Sequence, residues 1–120
     1  MDQKRVLIVE DDGDFAESLV LALSLKGVMA DTAGSGGEGV EKYLQGNYAV
    51  AITDIKLPDF SGIEVIRRLK EARTQARVLA MTGFRDPELM EQARQVGALD
   101  VLLKPFRLAE FIDKVTSYSA

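Results

Sequence analysis

The sequence predicts an α/β domain, a doubly wound five-stranded parallel sheet with five helices covering its two faces. Three observations carry that expectation. Short runs rich in Val and Ile recur without polar alternation, as strands buried on both faces do. The segments between them carry apolar residues at helical spacing. The order is therefore βα repeated five times, which calls for parallel strands joined by right-handed crossovers. Third, a chain of 120 residues can bury one core and is too short for two. Residues 1–120 are read as one domain.

The first strand is Arg5-Val6-Leu7-Ile8-Val9, stopped by Glu10-Asp11-Asp12. Phe15, Leu19 and Leu23, with Ala16 and Val20, form the stripe of the first helix, which Lys26-Gly27 ends. Val28 to Ala33 is the second strand. A weaker helix between Gly37 and Gln45 uses Val40, Tyr43 and Leu44 and closes at Gly46-Asn47. Gly37 and Gly39 each cost roughly 1 kcal/mol against alanine in a helix interior, so this helix is expected to be short or loosely ordered.

Val50-Ala51-Ile52-Thr53 makes the third strand and stops at Asp54. Ser61 can cap the third helix, with Glu64 completing a capping box and Ile63, Ile66 and Leu69 facing the core. Val78-Leu79-Ala80-Met81 is the fourth strand and stops at Thr82. Asp86-Pro87 opens the fourth helix with proline at its first position, and Leu89, Ala93 and Val96 give its stripe. Val101-Leu102-Leu103 stops at Lys104, and Leu108, Phe111, Ile112 and Val115 mark the last helix. Gly27, Gly46 and Gly97 are read as left-handed helix closures.

Composition excludes several classes. No apolar stretch approaches the ~18 to 20 residues of a membrane span. Met1-Asp2-Gln3-Lys4-Arg5 leads straight into a strand without a signal-peptide pattern, so a cytoplasmic location is expected. The net charge of −4 argues against a direct grip on nucleic acid by this domain, which would need a basic footprint. Without cysteine there is no disulfide or thiolate site. Without histidine there is no Ser-His-Asp triad, no imidazole metal ligand and no phosphohistidine within this chain.

If the apolar runs are neighbouring parallel strands, the polar groups that end them share the carboxyl edge of the sheet, where open α/β sheets bind ligands. Two carboxylates ~5 Å apart repel by roughly 3 kcal/mol at an effective dielectric of ~20. A bound Mg²⁺ would remove that cost, using one or two carboxylates and other oxygens. Asp11 and Asp54 are the expected direct ligands, with Glu10 acting directly or through water. Asp12 and Asp14 are better read as acids welcomed by a helix N-terminus. A carboxylate beside a metal can also attack phosphorus and form an acyl phosphate, so Asp54 is a candidate nucleophile. Phosphoryl transfer asks mainly for positioning and charge neutralisation, and Lys104 offers the ammonium. Thr82 can donate its hydroxyl to a phosphoryl oxygen. Taken alone, Lys104 is an ordinary strand-end lysine and Thr82 an ordinary β-branched residue. Together they describe a site.

The chain resembles a response-regulator receiver domain of bacterial two-component signalling over residues 4–118. The resemblance rests on Val9-Glu10-Asp11-Asp12, on Asp54-Ile55-Lys56-Leu57-Pro58 with Gly62 following, on Met81-Thr82-Gly83, and on Lys104-Pro105-Phe106. Intervals of 43, 28 and 22 residues separate Asp11, Asp54, Thr82 and Lys104. The resemblance implies a flavodoxin-like sheet of order 2-1-3-4-5 and a cis Lys104-Pro105 bond. It implies Asp54 as phosphoacceptor, taking its phosphoryl group from a sensor histidine kinase or a histidine phosphotransfer protein. Mg²⁺, with Mn²⁺ as an alternative, would be held by Glu10, Asp11, Asp54 and the backbone carbonyl of Lys56. Thr82 would act as switch hydroxyl and Lys104 would pair with the phosphoryl group. Output would pass to a downstream domain or protein through the fourth helix, fifth strand and fifth helix. A phosphorylation-linked dimer is compatible with the family, and no catalysis is implied beyond self-phosphorylation and slow autodephosphorylation.

Other readings are weaker. A phosphatase of the haloacid-dehalogenase type, working through an aspartyl phosphate, usually needs a second Asp two residues after the nucleophile, where this chain has Lys56. A flavodoxin-type carrier needs a phosphate loop where Glu10-Asp11-Asp12 stand. Gly34-Ser35-Gly36-Gly37-Glu38-Gly39 matches the dinucleotide pattern G-x-G-x-x-G, but the chain is too short for such a domain. A receiver-like module that is never phosphorylated would leave the complete acidic set without a purpose. The basic cluster Arg67, Arg68, Lys70, Arg73 and Arg77 reads as a solvated helix end.

One departure from the family pattern is Val101, where an aromatic that turns inward is common. Val101→Tyr is expected to leave the phosphorylation rate within a few-fold while altering partner binding. A collapse in phosphorylation would contradict this separation of roles.

Overall fold

The computed structural model describes residues 5–119. The strands are β1 (Arg5–Val9), β2 (Ala30–Ala33), β3 (Tyr48–Asp54), β4 (Val78–Thr82) and β5 (Val101–Leu103). The helices are α1 (Gly13–Ser24), α2 (Gly36–Gln45), α3 (Gly62–Ala72), α4 (Pro87–Gln95) and α5 (Leu108–Ser119). All strands pair in parallel, in the order β2-β1-β3-β4-β5. The expectation for Met1 to Lys4 lies outside the described residues. Within them, no helix is long and apolar enough to cross a membrane.

Period-two alternation sorts each strand onto two cores. Leu7, Val9, Ala51, Val78 and Ala80 pack with Tyr43, Val65, Ile66, Leu69 and Ala93 of α2, α3 and α4. Val6, Ile8, Val50, Ile52, Leu79, Met81 and Leu102 pack with Ala16, Leu19, Leu23, Phe111 and Val115 of α1 and α5. Both faces of β1, β3 and β4 are thus buried, which is why their sequences show no polar alternation. Fully burying one such side chain is worth about 1.5–3 kcal/mol.

Several local expectations change. β2 begins at Ala30, because the Val28 amide turns back to the Leu23 carbonyl (3.0 Å) and closes α1 through Gly27, at φ 77°. Gly97 is also left-handed, at φ 119°, but Gly46 is extended, with φ −105°. Asp86 caps α4 as expected, accepting from the Glu88 and Leu89 amides. Ser61 accepts from Ile63 N (3.0 Å), and Glu64 pairs with Arg67 and Arg68 instead of closing a capping box. Leu108, expected in the core, is the first residue of α5 and is 47% exposed.

Helix α2 spans ten residues, shorter than α1, α3 and α5 and longer only than α4, as expected of a short helix. The intrinsic penalty of its glycines is offset by packing. A Cβ on Gly39 would stand 2.7 Å from Val9 Cγ2 and 3.0 Å from Val9 Cγ1, and Val9 is fully buried. Gly39 lets α2 lie directly on the strand that ends at Glu10. Gly39→Ala therefore sets a gain of ~1 kcal/mol in helix propensity against ~1–3 kcal/mol of overpacking. Net destabilisation of up to about 2 kcal/mol is expected in urea denaturation, and an increase in stability would show that α2 can move off the sheet.

Candidate acidic site at the carboxyl edge

The strand order places the ends of β1, β3, β4 and β5 side by side. Asp54 ends β3 opposite Met81, and Thr82 ends β4 opposite Leu103. Glu10 follows β1 with its amide bonded to the Ala33 carbonyl (2.9 Å), which fixes its backbone to β2. Glu10, Asp54 and Thr82 are the only described polar or charged side chains that are buried besides Thr53. Asp11 is exposed at the rim.

One carboxylate oxygen from each of Glu10, Asp11 and Asp54 lies within 4.8 Å of the others. Lys104, at the end of β5, reaches into the same place. Its ammonium donates to Glu10 Oε1 and to Asp54 Oδ2, the latter at 2.9 Å. Burial opposes the charge on Lys104, but the two carboxylate hydrogen bonds outweigh it and raise its pKa, so it remains protonated. Burial pushes the Glu10 carboxyl above its ordinary range, although the Lys104 ammonium and the Asp12 amide pull the other way. With all three carboxylates ionised, one ammonium leaves two negative charges uncompensated. That deficit and the all-oxygen donor set fit a hard divalent cation.

The surrounding loops hold these groups in place. Lys56 N donates to Asp54 Oδ1 (3.3 Å), so the peptide after the carboxylate folds back over it. Gly62 N bonds to the Ile55 carbonyl (2.7 Å), closing the β3–α3 loop. Phe84 N donates to Thr82 Oγ1 (3.1 Å), and the Lys56 ammonium lies 4.8 Å from the centre of the Phe84 ring. Asp12 caps α1, accepting from Phe15 N (3.1 Å), which agrees with its reading as a helix-start acid.

The glycine-rich segment has a different use from the one its pattern suggests. Both oxygens of Asp59 accept amides at the start of α2, Oδ1 from Gly36 and Oδ2 from Gly37, each at 2.8 Å. The position where a nucleotide phosphate would bind is filled by the protein's own carboxylate. The basic cluster is likewise engaged internally. Arg67 pairs with Glu64 and Glu71, Arg68 lies over the Phe60 ring, Lys70 donates to the Thr74 and Ala76 carbonyls, and Arg73 donates to the Leu44 carbonyl.

Two features of the site were not read from sequence. The direct Glu10–Lys104 pairing joins groups 94 residues apart and carries no local signal. The role of Gly62 did carry one, as a glycine at the mouth of a helix. A Cβ there would stand 2.0 Å from the Asp54 carbonyl oxygen.

A family model described as the response regulator receiver domain matches residues 6–116. The chain belongs to this family. Receiver domains are phosphorylation-based signalling switches, and this one carries the acidic pocket that such a switch requires. Among curated relatives, the receiver domain is 34% identical to transcriptional regulatory protein CusR of Escherichia coli K12, covering 92% of this chain and 49% of CusR. It is 31% identical to the uncharacterized transcriptional regulatory protein YkoG of Bacillus subtilis, covering 96% of this chain and 50% of YkoG. The chain spans about half the length of the curated relatives it matches. Among solved structures, a CheY-like receiver domain from Methanospirillum hungatei superposes with a TM-score of 0.93 at 28% identity, covering 98% of this chain and 94% of that one. Response regulator TrrA of Thermotoga maritima, in complex with Mg²⁺ and BeF, gives 0.84 at 29% identity, covering 97% and 99%.

Gly62→Ala is expected to displace the Asp54 peptide, since a backbone oxygen at 2.0 Å cannot rotate away as a side chain can. The receiver domain should lose about 2–4 kcal/mol in urea denaturation. An unchanged midpoint would mean that the β3–α3 loop is held elsewhere.

Proposed function

We propose that Asp54 is the phosphoacceptor of this receiver domain, and that residues 1–120 form one phosphorylation-controlled switch. The observation that carries the reading is the meeting of Asp54 with Glu10, Asp11 and the Lys104 ammonium at one buried sheet edge. An Asp54 oxygen attacks the phosphorus of a phosphohistidine on a sensor kinase or phosphotransfer protein. The P–N bond breaks, its electron pair returns to the imidazole, and an acyl phosphate forms on Asp54. Lys104 pairs with the phosphoryl oxygens, and the Thr82 hydroxyl, which accepts from the Phe84 amide in this structure, donates its hydrogen to one of them. Glu10, Asp11, Asp54 and the Lys56 carbonyl would hold a divalent cation, Mg²⁺ or in its place Mn²⁺. When bound, it neutralises the carboxylates and the charge that develops on the phosphoryl group. The Mg²⁺ and BeF bound by TrrA, a protein of the same fold and family, support that choice. Water later attacks the acyl phosphate and returns the resting state.

The output is a changed surface on α4, β5 and α5, read by a downstream domain or protein, with dimerisation on phosphorylation one way to read it. We place this chemistry in the cytoplasm, apart from membranes, with no nucleic acid bound by the domain itself. The alternative reading as a haloacid-dehalogenase phosphatase finds no support at Lys56, whose ammonium faces the Phe84 ring where that chemistry needs an acid.

Incubation with acetyl phosphate and Mg²⁺ should add one phosphoryl mass to the wild type and none to Asp54→Ala. Retention of the adduct in Asp54→Ala would place the acceptor elsewhere. Mg²⁺ alone, at about 100 times its dissociation constant, should stabilise the fold by about 2.7 kcal/mol. A calorimetric scan should register this as a rise in Tm of roughly 10 °C, lost in Asp11→Asn.

A further inference from the structure

An ammonium has three N–H donors. Glu10 Oε1 and Asp54 Oδ2 take two from Lys104. On another side lies the Phe15 ring, its centroid 4.7 Å from Lys104 Nζ and within the ~6 Å over which a cation is drawn to an aromatic face. Phe15 belongs to the first turn of α1, directly after the acidic residues, and its own amide is fixed by the Asp12 cap. Its ring rests against Phe106 (centroids 5.9 Å apart, tilted at 53°), and Phe106 stacks on the fully buried Phe111 (5.6 Å, 9°). This aromatic column runs from the pocket to the buried side of α5 and backs the Phe15 ring.

The two carboxylates that hold Lys104 also belong to the acidic cluster toward which a divalent cation and a phosphoryl group would be drawn. A cation drawing on Glu10 and Asp54 weakens their hold on the ammonium. The ring has no oxygen to offer a hard cation, so it is the partner of Lys104 that metal binding leaves unchanged.

We propose that Phe15 is a positioning residue for phosphorylation, its ring retaining the Lys104 ammonium in the pocket while Glu10 and Asp54 turn to the cation and the phosphoryl group. The inference rests on Asp54 as the acceptor for its effect on rate. Its effect on where Lys104 sits does not depend on that reading.

Singly, doubly and triply fluorinated phenylalanine at position 15 weakens the ring's attraction for a cation in steps while nearly preserving its shape. Two measurements on the full chain decide the matter. In the first, NMR follows the Lys104 ε-methylene protons, which the ring shifts upfield, as Mg²⁺ alone is added. They should stay upfield in the wild type and move toward the position of an exposed lysine in the triply fluorinated protein. Equal retention in both proteins, or loss in both, overturns the proposal. In the second, the maximal rate of phosphorylation by acetyl phosphate should fall stepwise along the series, by about three- to tenfold at its end. Thermal midpoints should stay level, and Phe15→Tyr should remain within about twofold of wild type. A flat series in a wild type that does accept phosphate overturns the role of Phe15 and leaves Asp54 as acceptor. A wild type that accepts no phosphate overturns the Asp54 reading, while the methylene resonances still decide whether Phe15 holds Lys104.

Discussion

The pairing of the Lys104 ammonium with Glu10 and Asp54 is the interaction on which the site depends. Three carboxylates within 4.8 Å of one another repel by roughly 3 kcal/mol per pair at an effective dielectric of ~20, a large fraction of what holds a small domain together. One ammonium offsets part of that repulsion without removing it. The residual negative charge suits the cluster to a divalent cation. Had Lys104 been absent, the edge would repel itself in the resting state. Had two ammonium groups stood there, the pocket would have little use for a metal.

The scaffold answers this demand with backbone fixtures more than with further charges. β1 and β3 are buried on both faces, so Glu10 and Asp54 follow segments that cannot shift without opening a core. The β3–α3 loop is tied at one end by Gly62 N to the Ile55 carbonyl and at the other by Asp59 to the amides that begin α2. The β4–α4 loop is tied by Phe84 N to Thr82 Oγ1, which links the hydroxyl expected to move with the loop expected to follow. Val101 is half-buried where the family often carries a ring, while the Phe84 amide bonds to Thr82 and the Phe15 ring of the Phe15–Phe106–Phe111 column lies against Lys104.

Most of the architecture was legible because burial on both faces leaves a mark that survives in one dimension. Arg5–Val9 and Val78–Thr82 read as strands for the reason that they are strands. The site was legible because each apolar run ends in a group of distinct chemistry. What failed to show depends on partners distant in sequence. Gly39 looked like a helix breaker until Val9 was seen beneath it, since intrinsic propensity takes no account of how closely a helix must approach a sheet. Val28 was read into β2 because nothing local reveals that its amide closes α1. Leu108 matched the stripe of α5, but periodicity cannot tell whether the first residue of a helix is covered. The ring of Phe15 was read as core packing, and its second face, toward Lys104, has no signature in sequence.

The contact between Glu10 and Lys104 closes a span of 94 residues. A chain emerging from the ribosome therefore exposes its acidic residues early and unbalanced, and gains the compensating cation only when nearly all of the domain has been synthesised. Newly made copies thus complete the acidic pocket only when the last strand has joined the sheet.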